Sequence, residues 1–217
     1  MIIIGELINS TRKSIKKAID EQDASFIQDL AKKQEEAGAD YIDVNSGAYV
    51  HDEVKHLVWL VKTVQEVVEK PLALDSPNPE ALVEAMKVHE GTPMINSISA
   101  EKDRYNKIIP LLKDSDAPFV ALCMSDEGMP ETADDRLEMA KKLLGALDKD
   151  GIDLTRAFLD PLVKPVSVNG EYGPQVLDAI ERIVALGSGC HITSGLSNIS
   201  FGLPNRHLMN QAFVVLS

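Results

Sequence analysis

The sequence predicts an α/β fold of the TIM-type (β/α)8 barrel class, because two patterns alternate along the whole chain. Short apolar, β-branched runs recur every few tens of residues, and the stretches between them repeat apolar residues at helical spacing. Strands that are apolar nearly throughout suit a parallel sheet that is covered by helices. Strict alternation without a topological reversal favours a barrel over an open doubly wound sheet.

The apolar runs predict seven strands. In chain order they are Ile2 to Ile8, Tyr41 to Val44, Leu72 to Leu74, Pro93 to Ile98, Phe119 to Met124, Ala157 to Val163 and Ile192 to Leu196. Helical spacing between strands is clearest from Val54 to Val68 and from Leu137 to Leu147. No G-x-G-x-x-G follows the first strand and no P-loop motif occurs, which argues against a Rossmann or P-loop fold.

The chain ends before the alternation of strands and helices reaches the eight strands of a closed barrel. A closed barrel of this class needs eight strands, whereas only Pro204 to Ser217 follow the seventh strand, enough for part of a helix. We therefore expect one domain over residues 1–217, truncated after the seventh strand and part of the following helix and lacking the eighth βα unit. A fragment is favoured over closure by another chain or a shortened barrel, because an unpaired buried strand leaves backbone groups unsatisfied.

The composition of the chain excludes several classes of function. The 217 residues are 44% hydrophobic and 26% charged, as in an ordinary soluble domain. The net charge of -12 argues against nucleic-acid binding, which requires basic residues along the phosphates. The N-terminus has no signal-peptide pattern and no apolar run approaches a membrane span, so we expect a cytoplasmic protein without membrane contact. Cys123 and Cys190 lie in no metal or disulfide pattern.

Polar residues cluster at the predicted carboxyl ends of the strands, where active sites of this architecture lie. They include Glu6, Asn9, Asp43, Asn45, Asp75, Asn96, Asp160 and Asn198. No Ser or Cys stands in a constellation with His and a carboxylate, so covalent catalysis is not expected. Carboxylates and amides suit a neutral heterocycle rich in N–H donors, such as a 2-amino-4-oxo-pyrimidine edge. Each residue alone could instead be a helix cap or a turn residue.

With these residues in view, the chain resembles the methyltetrahydrofolate:corrinoid methyltransferases, of the corrinoid/iron-sulfur protein type. They are a branch of the pterin-binding, dihydropteroate synthase-like superfamily that includes the folate region of cobalamin-dependent methionine synthase. The resemblance rests on the motifs GELIN, DVNSG, LALDSPN, MINSIS, FLDPLV and GLSNISFGLPNR. The last, from Gly195 to Arg206, is the most specific, because packing alone gives little reason for it.

The resemblance implies a role for each candidate residue. Asp75, Asn96 and Asp160 would bind the pterin, and Asn198 would lie beside N5 as the catalytic residue. The remaining matches are the substrate-binding Gly195 and Ser197 and the supporting Glu6, Asn9, Asp43, Asn45 and Arg206. Arg206 would either neutralise a folate carboxylate or cap the shortened helix. The sequence departs from the family pattern at two places. Some relatives have a polar residue at the position of Phe201, and family members continue beyond the point where this chain ends.

The resemblance also implies a reaction: transfer of the N5-methyl group between methyltetrahydrofolate and the cobalt of a separate corrinoid protein, by a homodimeric enzyme. No D-x-H-x-x-G motif surrounds any of the five histidines, so the corrinoid is expected on the partner protein. No metal is expected in the folate site, which offers no His or Cys cluster.

Two alternatives stay open. A dihydropteroate synthase-like enzyme would need positive groups for a diphosphate, and the Ser-Arg-Lys signature expected after the seventh strand is replaced by Ser197 to Ser200. The chain could also be a non-catalytic folate-binding module.

Overall fold

The computed structural model describes residues 1–217, which divide into two compact units. The first unit comprises residues 1–97 and 115–118, and the second comprises residues 98–114 and 119–217. Strands lead into helices throughout both units. The predicted alternation of strands and helices is therefore confirmed.

Parallel strands and the helices that follow them form the first unit. Its elements are strand β1 (Ile4–Asn9), helices α1 (Lys13–Glu21) and α2 (Ala24–Glu36), strand β2 (Tyr41–Asn45), helix α3 (Glu53–Gln65), strand β3 (Leu72–Asp75), helix α4 (Pro79–Val88) and strand β4 (Met94–Ser99), whose last two residues fall in the second unit. Parallel pairing joins β1 to β2, β2 to β3 and β3 to β4. The strand interiors are apolar, and Ile42, Val44, Leu72 and Leu74 are fully buried. Each such side chain stabilises the fold by roughly 1.5–3 kcal/mol.

The second unit continues the same pattern. Its elements are helix α5 (Lys102–Lys113), strand β5 (Phe119–Leu122), helix α6 (Ala133–Lys149), a 3-10 turn (Leu154–Arg156), strand β6 (Ala157–Asp160), helix α7 (Tyr172–Val184), strand β7 (His191–Ile192), a second 3-10 turn (Leu196–Ser200) and helix α8 (Arg206–Leu216). Strand β6 pairs in parallel with β5 and with β7. None of the helices is both long enough and apolar enough to cross a membrane.

A separate apolar cluster packs α7, α8 and the second 3-10 turn together. Its buried members are Val163, Val176, Ile180, Ile199 and Phe213. Phe213 is the buried residue of α8, and Ile199 projects from the 3-10 turn. The cluster therefore fixes the segment that follows β7 to the body of the second unit.

Polar side chains set where the helices begin after the strands. Asn78 accepts a hydrogen bond from the N–H of Glu80 at 3.1 Å, and Pro79 occupies the first turn of α4. Thr132 and Asp135 form a reciprocal capping box at the start of α6. Each cap marks the end of a loop that follows the carboxyl end of a strand.

The seventh strand is shorter than predicted. The apolar pattern predicts Ile192 to Leu196, whereas β7 covers His191 and Ile192. The N–H of Thr193 still bonds to the carbonyl of Leu159, but from Gly195 onward the backbone turns into the 3-10 segment. The apolar residue at the end of the predicted strand, Leu196, instead packs against the α7–α8 cluster.

Candidate functional site

The predicted site residues divide between the two units. In the first unit, the strand ends place four of them side by side. The register pairs Asn9 with Asn45, Asn45 with Asp75, and Asp75 with Asn96. Residues that are paired in a sheet project from the same face, so the four side chains form one polar row across β1 to β4. Periodicity and the strand-end rule together predicted this part of the site.

Asn45 orients Asp75. The Asn45 Oδ1 accepts hydrogen bonds from the Gly47 N–H at 3.0 Å and from Ser10 Oγ at 3.3 Å. A backbone N–H can only donate, so the amide orientation is determined, and its Nδ2 faces Asp75 Oδ2 at 2.7 Å. Asn45 therefore orients the Asp75 carboxylate.

Asp43 orients Asn96 in the same manner. Asn96 Nδ2 donates to Asp43 Oδ2 at 3.2 Å, and Asp43 is buried with 1% exposure. Burial first, and then the charges of Asp75 and Glu6, raise the pKa of Asp43 well above its ordinary value. This favours the protonated form of Asp43, so the row does not accumulate the full negative charge of its carboxylates.

Asn9 holds a local turn at the end of β1. Its Oδ1 accepts hydrogen bonds from the N–H of Thr11 at 3.0 Å and from Thr11 Oγ1 at 2.7 Å. This is an Asx-type turn that ends β1. Asn9 stands in register with the polar row, but these bonds commit its side-chain oxygen to the turn.

Glu53 and Ser76 were not predicted from the sequence. Glu53, in the first turn of α3, is buried, and its Oε1 accepts a 2.6 Å hydrogen bond from Ser76 Oγ. Ser76 follows Asp75 directly, so this bond holds the loop in which the Asp75 strand ends. An acidic residue in a first helical turn is common for capping and dipole reasons, and nothing in the sequence distinguishes Glu53 from that ordinary case.

Asp160 is the buried carboxylate of the second unit. Its Oδ1 accepts the N–H of Leu162 at 2.8 Å, and the backbone N–H of Gly195 also donates to the carboxylate. Burial raises the pKa of Asp160 to about 6, while the two N–H groups and the positive charge of Arg136 oppose that rise. Through Gly195 the carboxylate is connected to the segment that contains Asn198.

The 3-10 turn after β7 presents Ser197 and Asn198 to solvent and buries the next two residues, Ile199 and Ser200. The backbone N–H of Asn198 bonds to the Gly195 carbonyl at 3.1 Å. The Asn198 Nδ2 lies over Gly195, only 3.0 Å from the position that a Cβ would occupy there. A side chain at position 195 would therefore displace the Asn198 amide by a few tenths of an ångström.

Arg206 fastens this turn. Its guanidinium donates to the Ser197 carbonyl at 2.7 Å and to Ser200 Oγ at 3.0 Å. Arg206 is the first residue of α8. These two hydrogen bonds hold the turn against the start of α8.

A solvent-open cavity of about 310 Å³ lies elsewhere in the second unit, between the loop after β5 and helix α6. Its lining includes Glu127, Met129, Glu138 and Lys142. None of the predicted site residues lines it, and the hydrogen-bonded strand ends are the better candidate on chemical grounds.

Comparison with known proteins decides the family. The family model described as "pterin binding enzyme" matches residues 5–217. The chain belongs to the pterin-binding enzyme family. It is 41% identical over 219 residues to the methylcorrinoid:tetrahydrofolate methyltransferase of Eubacterium limosum, covering 100% of this chain and 81% of that protein.

More distant relatives of this pterin-binding enzyme agree. It is 27% identical over 227 residues to the methionine synthase of Mycobacterium tuberculosis, covering 99% of this chain but 19% of that much longer protein. A structure of dihydropteroate synthase from Xanthomonas albilineans with 4-aminobenzoic acid matches with a TM-score of 0.72 at 20% identity, covering 99% of this chain and 81% of that one. The structural likeness confirms the predicted TIM-type barrel class.

Proposed function

We propose that this enzyme transfers the N5-methyl group between methyltetrahydrofolate and the cobalt of a corrinoid that a separate protein carries. The observation that supports this most directly is the 41% identity along the entire chain to a methylcorrinoid:tetrahydrofolate methyltransferase. In the direction toward cobalt, the Co(I) of the corrinoid substrate supplies the electron pair of the new cobalt–carbon bond and becomes methyl-Co(III). The electron pair of the broken N5–methyl bond stays on nitrogen, which takes up a proton.

Asp75, Asn96 and Asp160 are the proposed pterin ligands. A pterin edge presents several N–H donors, and a carboxylate accepts such donors strongly. Asn45 orients Asp75 and Asp43 orients Asn96, so these ligands are held before the substrate arrives. Preorganised groups lose less entropy on binding, which is what a small rigid heterocycle requires.

Asn198 is the proposed catalytic residue. A neutral amide can accept from a protonated N5–H through its carbonyl or donate to an N5 lone pair through its N–H, so it can follow the proton without titrating. Asn198 is exposed on the 3-10 turn, so its amide is accessible to a substrate. The interaction accelerates the reaction if it strengthens toward the transition state.

Two cations near the strand ends of the second unit are already engaged within the fold. Arg206 donates to Ser197 and Ser200. Lys164, in the loop after β6, forms an ion pair with Glu131 at 2.9 Å and lies over the ring of Tyr172. A dihydropteroate synthase has to stabilise a departing pyrophosphate with positive groups. The methyl-transfer proposal needs no such groups.

The proposal is tested by single-turnover methyl transfer from methyltetrahydrofolate to free cob(I)alamin, followed by the change in cobalamin absorbance. We expect transfer by the native enzyme and a rate at least about tenfold lower for Asn198→Ala, with folate affinity retained. Asn106→Ala, an exposed asparagine on α5, is the matched control and should transfer at the native rate.

Two outcomes would reject the proposal. Synthesis of pteroate from p-aminobenzoate and a pterin pyrophosphate, without methyl transfer, would identify a dihydropteroate synthase. Folate binding without transfer to free cobalamin or to any corrinoid protein would identify a binding module.

A further inference from the structure

Arg136 is a buried cation without a carboxylate partner at hydrogen-bond distance. It lies on α6, and its exposure is 0%. Each of its three nitrogens donates to at least one backbone carbonyl. Nε donates to Pro161 O at 2.9 Å, one terminal nitrogen to Glu131 O at 2.7 Å and Thr132 O at 3.1 Å, and the other to Leu162 O at 3.1 Å. Burying a charge is costly unless its hydrogen bonds are made, so this arrangement indicates a specific use.

Two of those carbonyls belong to the loop that follows Asp160. Leu162 in that loop has a φ of 65°, in the left-handed region that a branched side chain rarely adopts. Such a conformation persists when the surrounding structure determines it. Arg136 bonds to the carbonyls of Pro161 and Leu162, and so fixes the peptide groups on both sides of the Leu162 Cα.

The left-handed backbone directs a donor at the predicted pterin ligand. In this conformation the Leu162 N–H lies 2.8 Å from Asp160 Oδ1. If Leu162 relaxed to an ordinary conformation, the peptide would rotate and that hydrogen bond would be lost or weakened. The Asp160 side chain would then keep the Gly195 N–H as its remaining backbone donor.

We infer that Arg136 is a positioning residue for substrate binding: it holds the Pro161–Leu162 backbone so that the Leu162 N–H orients the Asp160 carboxylate toward the pterin. The inference rests on the proposed function, because it assigns the purpose of that orientation. Arg136 acts through the loop and contacts no substrate itself.

The electrostatic surroundings of Asp160 agree with this assignment. Burial raises its pKa, and the N–H groups of Leu162 and Gly195 and the charge of Arg136 lower it again. The neighbouring Cys123 is neutral, since burial raises the pKa of its thiol. Arg136 therefore supports the ionised carboxylate both by its charge and through the Leu162 N–H.

Three variants separate the positioning role from a general packing role. Arg136→Lys keeps the positive charge. The lysine has a single nitrogen, however, and cannot bond to all the carbonyls that the guanidinium reaches. Leu162→Pro removes the N–H and imposes a negative φ while Arg136 is intact. Arg182→Lys makes the same exchange on α7, where the guanidinium pairs with Asp134 and Asp178 and not with the loop, and is the matched control. Circular dichroism and thermal unfolding establish which variants are folded.

Affinity for methyltetrahydrofolate is measured by calorimetry across pH, with single-turnover transfer to cob(I)alamin beside it. We expect Arg136→Lys and Leu162→Pro to weaken folate binding by about fivefold or more, and to shift its acid limb to higher pH, because Asp160 loses a donor to its ionised form. The transfer rate at saturating folate should change less than the affinity. Arg182→Lys should bind within about twofold of native, because its ion pairs lie away from the loop.

Hydrogen exchange provides a readout that does not depend on the reaction. Amides from Phe158 to Lys164 should exchange faster in Arg136→Lys than in the native protein, because the loop is no longer fixed. Native folate affinity, pH profile and exchange in a folded Arg136→Lys would overturn the inference. If the native protein itself bound no folate, the proposed function would fail, and the exchange result would still show whether Arg136 holds the loop.

Discussion

Replacing Gly195 by alanine tests whether the position of the Asn198 amide controls the rate. Gly195 has φ of -68° and ψ of 72°, so its φ is one that alanine adopts without strain. The added Cβ would lie 3.0 Å from Asn198 Nδ2 and 3.9 Å from its Cγ. Carbon and nitrogen pack at about 3.5 Å, so the amide has to move by several tenths of an ångström.

The expected effect follows from what that displacement does to a hydrogen bond. If Asn198 acts at N5 as proposed, a shift of this size misaligns that hydrogen bond, and small misplacements of reacting groups reduce rates strongly. We expect the single-turnover rate at saturating folate to fall about tenfold, which corresponds to about 1.4 kcal/mol of transition-state stabilisation. Folate affinity should change less, since the Gly195 N–H that donates to Asp160 is retained.

A matched control and a double variant make the test decisive. Gly145→Ala lies in α6, where an added Cβ meets nothing within 4 Å, and it should transfer at the native rate. Combining Gly195→Ala with Asn198→Ala should be no slower than Asn198→Ala alone, because the amide that the Cβ would displace is gone. A native rate for Gly195→Ala, or additive losses in the double variant, would show that the position of the Asn198 amide does not control the rate.

Three further predictions concern the carboxylates and the metal content of the folate site. Folate affinity of the native protein should fall as the pH drops through about 6, because Asp160 then becomes protonated and loses acceptor capacity; calorimetry at several pH values measures this, and an Asp160→Asn variant should show a flatter response. Asn45→Asp should weaken folate binding by about tenfold or more, since it sets two carboxylates against each other where Asn45 Nδ2 and Asp75 Oδ2 are now 2.7 Å apart; unchanged affinity would mean that Asn45 does not orient Asp75. Methyl transfer to free cobalamin should continue after exhaustive chelation of the protein, whereas a loss restored by added metal would require a metal site.

The sequence predicted the features that repeat. Apolar runs at regular intervals predict parallel strands, and the rule that strand ends share one face then predicts that Asn45, Asp75 and Asn96 lie together. The structure places these three in consecutive register. Such predictions succeed because they need only the period of the pattern and the direction of the strands.

Features that depend on loop backbone geometry were not predictable. The left-handed φ of Leu162 is unusual for its residue type, and a buried arginine that bonds to carbonyls of a distant loop has no local sequence signal. The bonds that Arg206 makes to the 3-10 turn were missed for the same reason. Its partners are a carbonyl and a hydroxyl within the 3-10 turn, and a sequence shows only that a cation is present.

The two predicted carboxylate ligands are oriented by different means, and the difference has a thermodynamic consequence. Asp75 is oriented by a neighbouring side chain, Asn45, whereas Asp160 relies on backbone N–H groups in a buried position. The pKa of Asp160 rises from 3.8 to about 6 on folding. Its contribution to stability is therefore fully present below the lower value and is lost as the pH rises through the higher one.

At neutral pH the folded protein thus keeps an ionised Asp160 at a cost of about 3 kcal/mol, given 1.36 kcal/mol for each pKa unit. A protein selected only for stability would replace such a carboxylate by an uncharged residue, because that cost is a large fraction of a typical domain stability. The left-handed φ of Leu162 adds to the same local cost. Stability that is given up in one loop, around one carboxylate, is the pattern expected where binding requires a charge that folding does not.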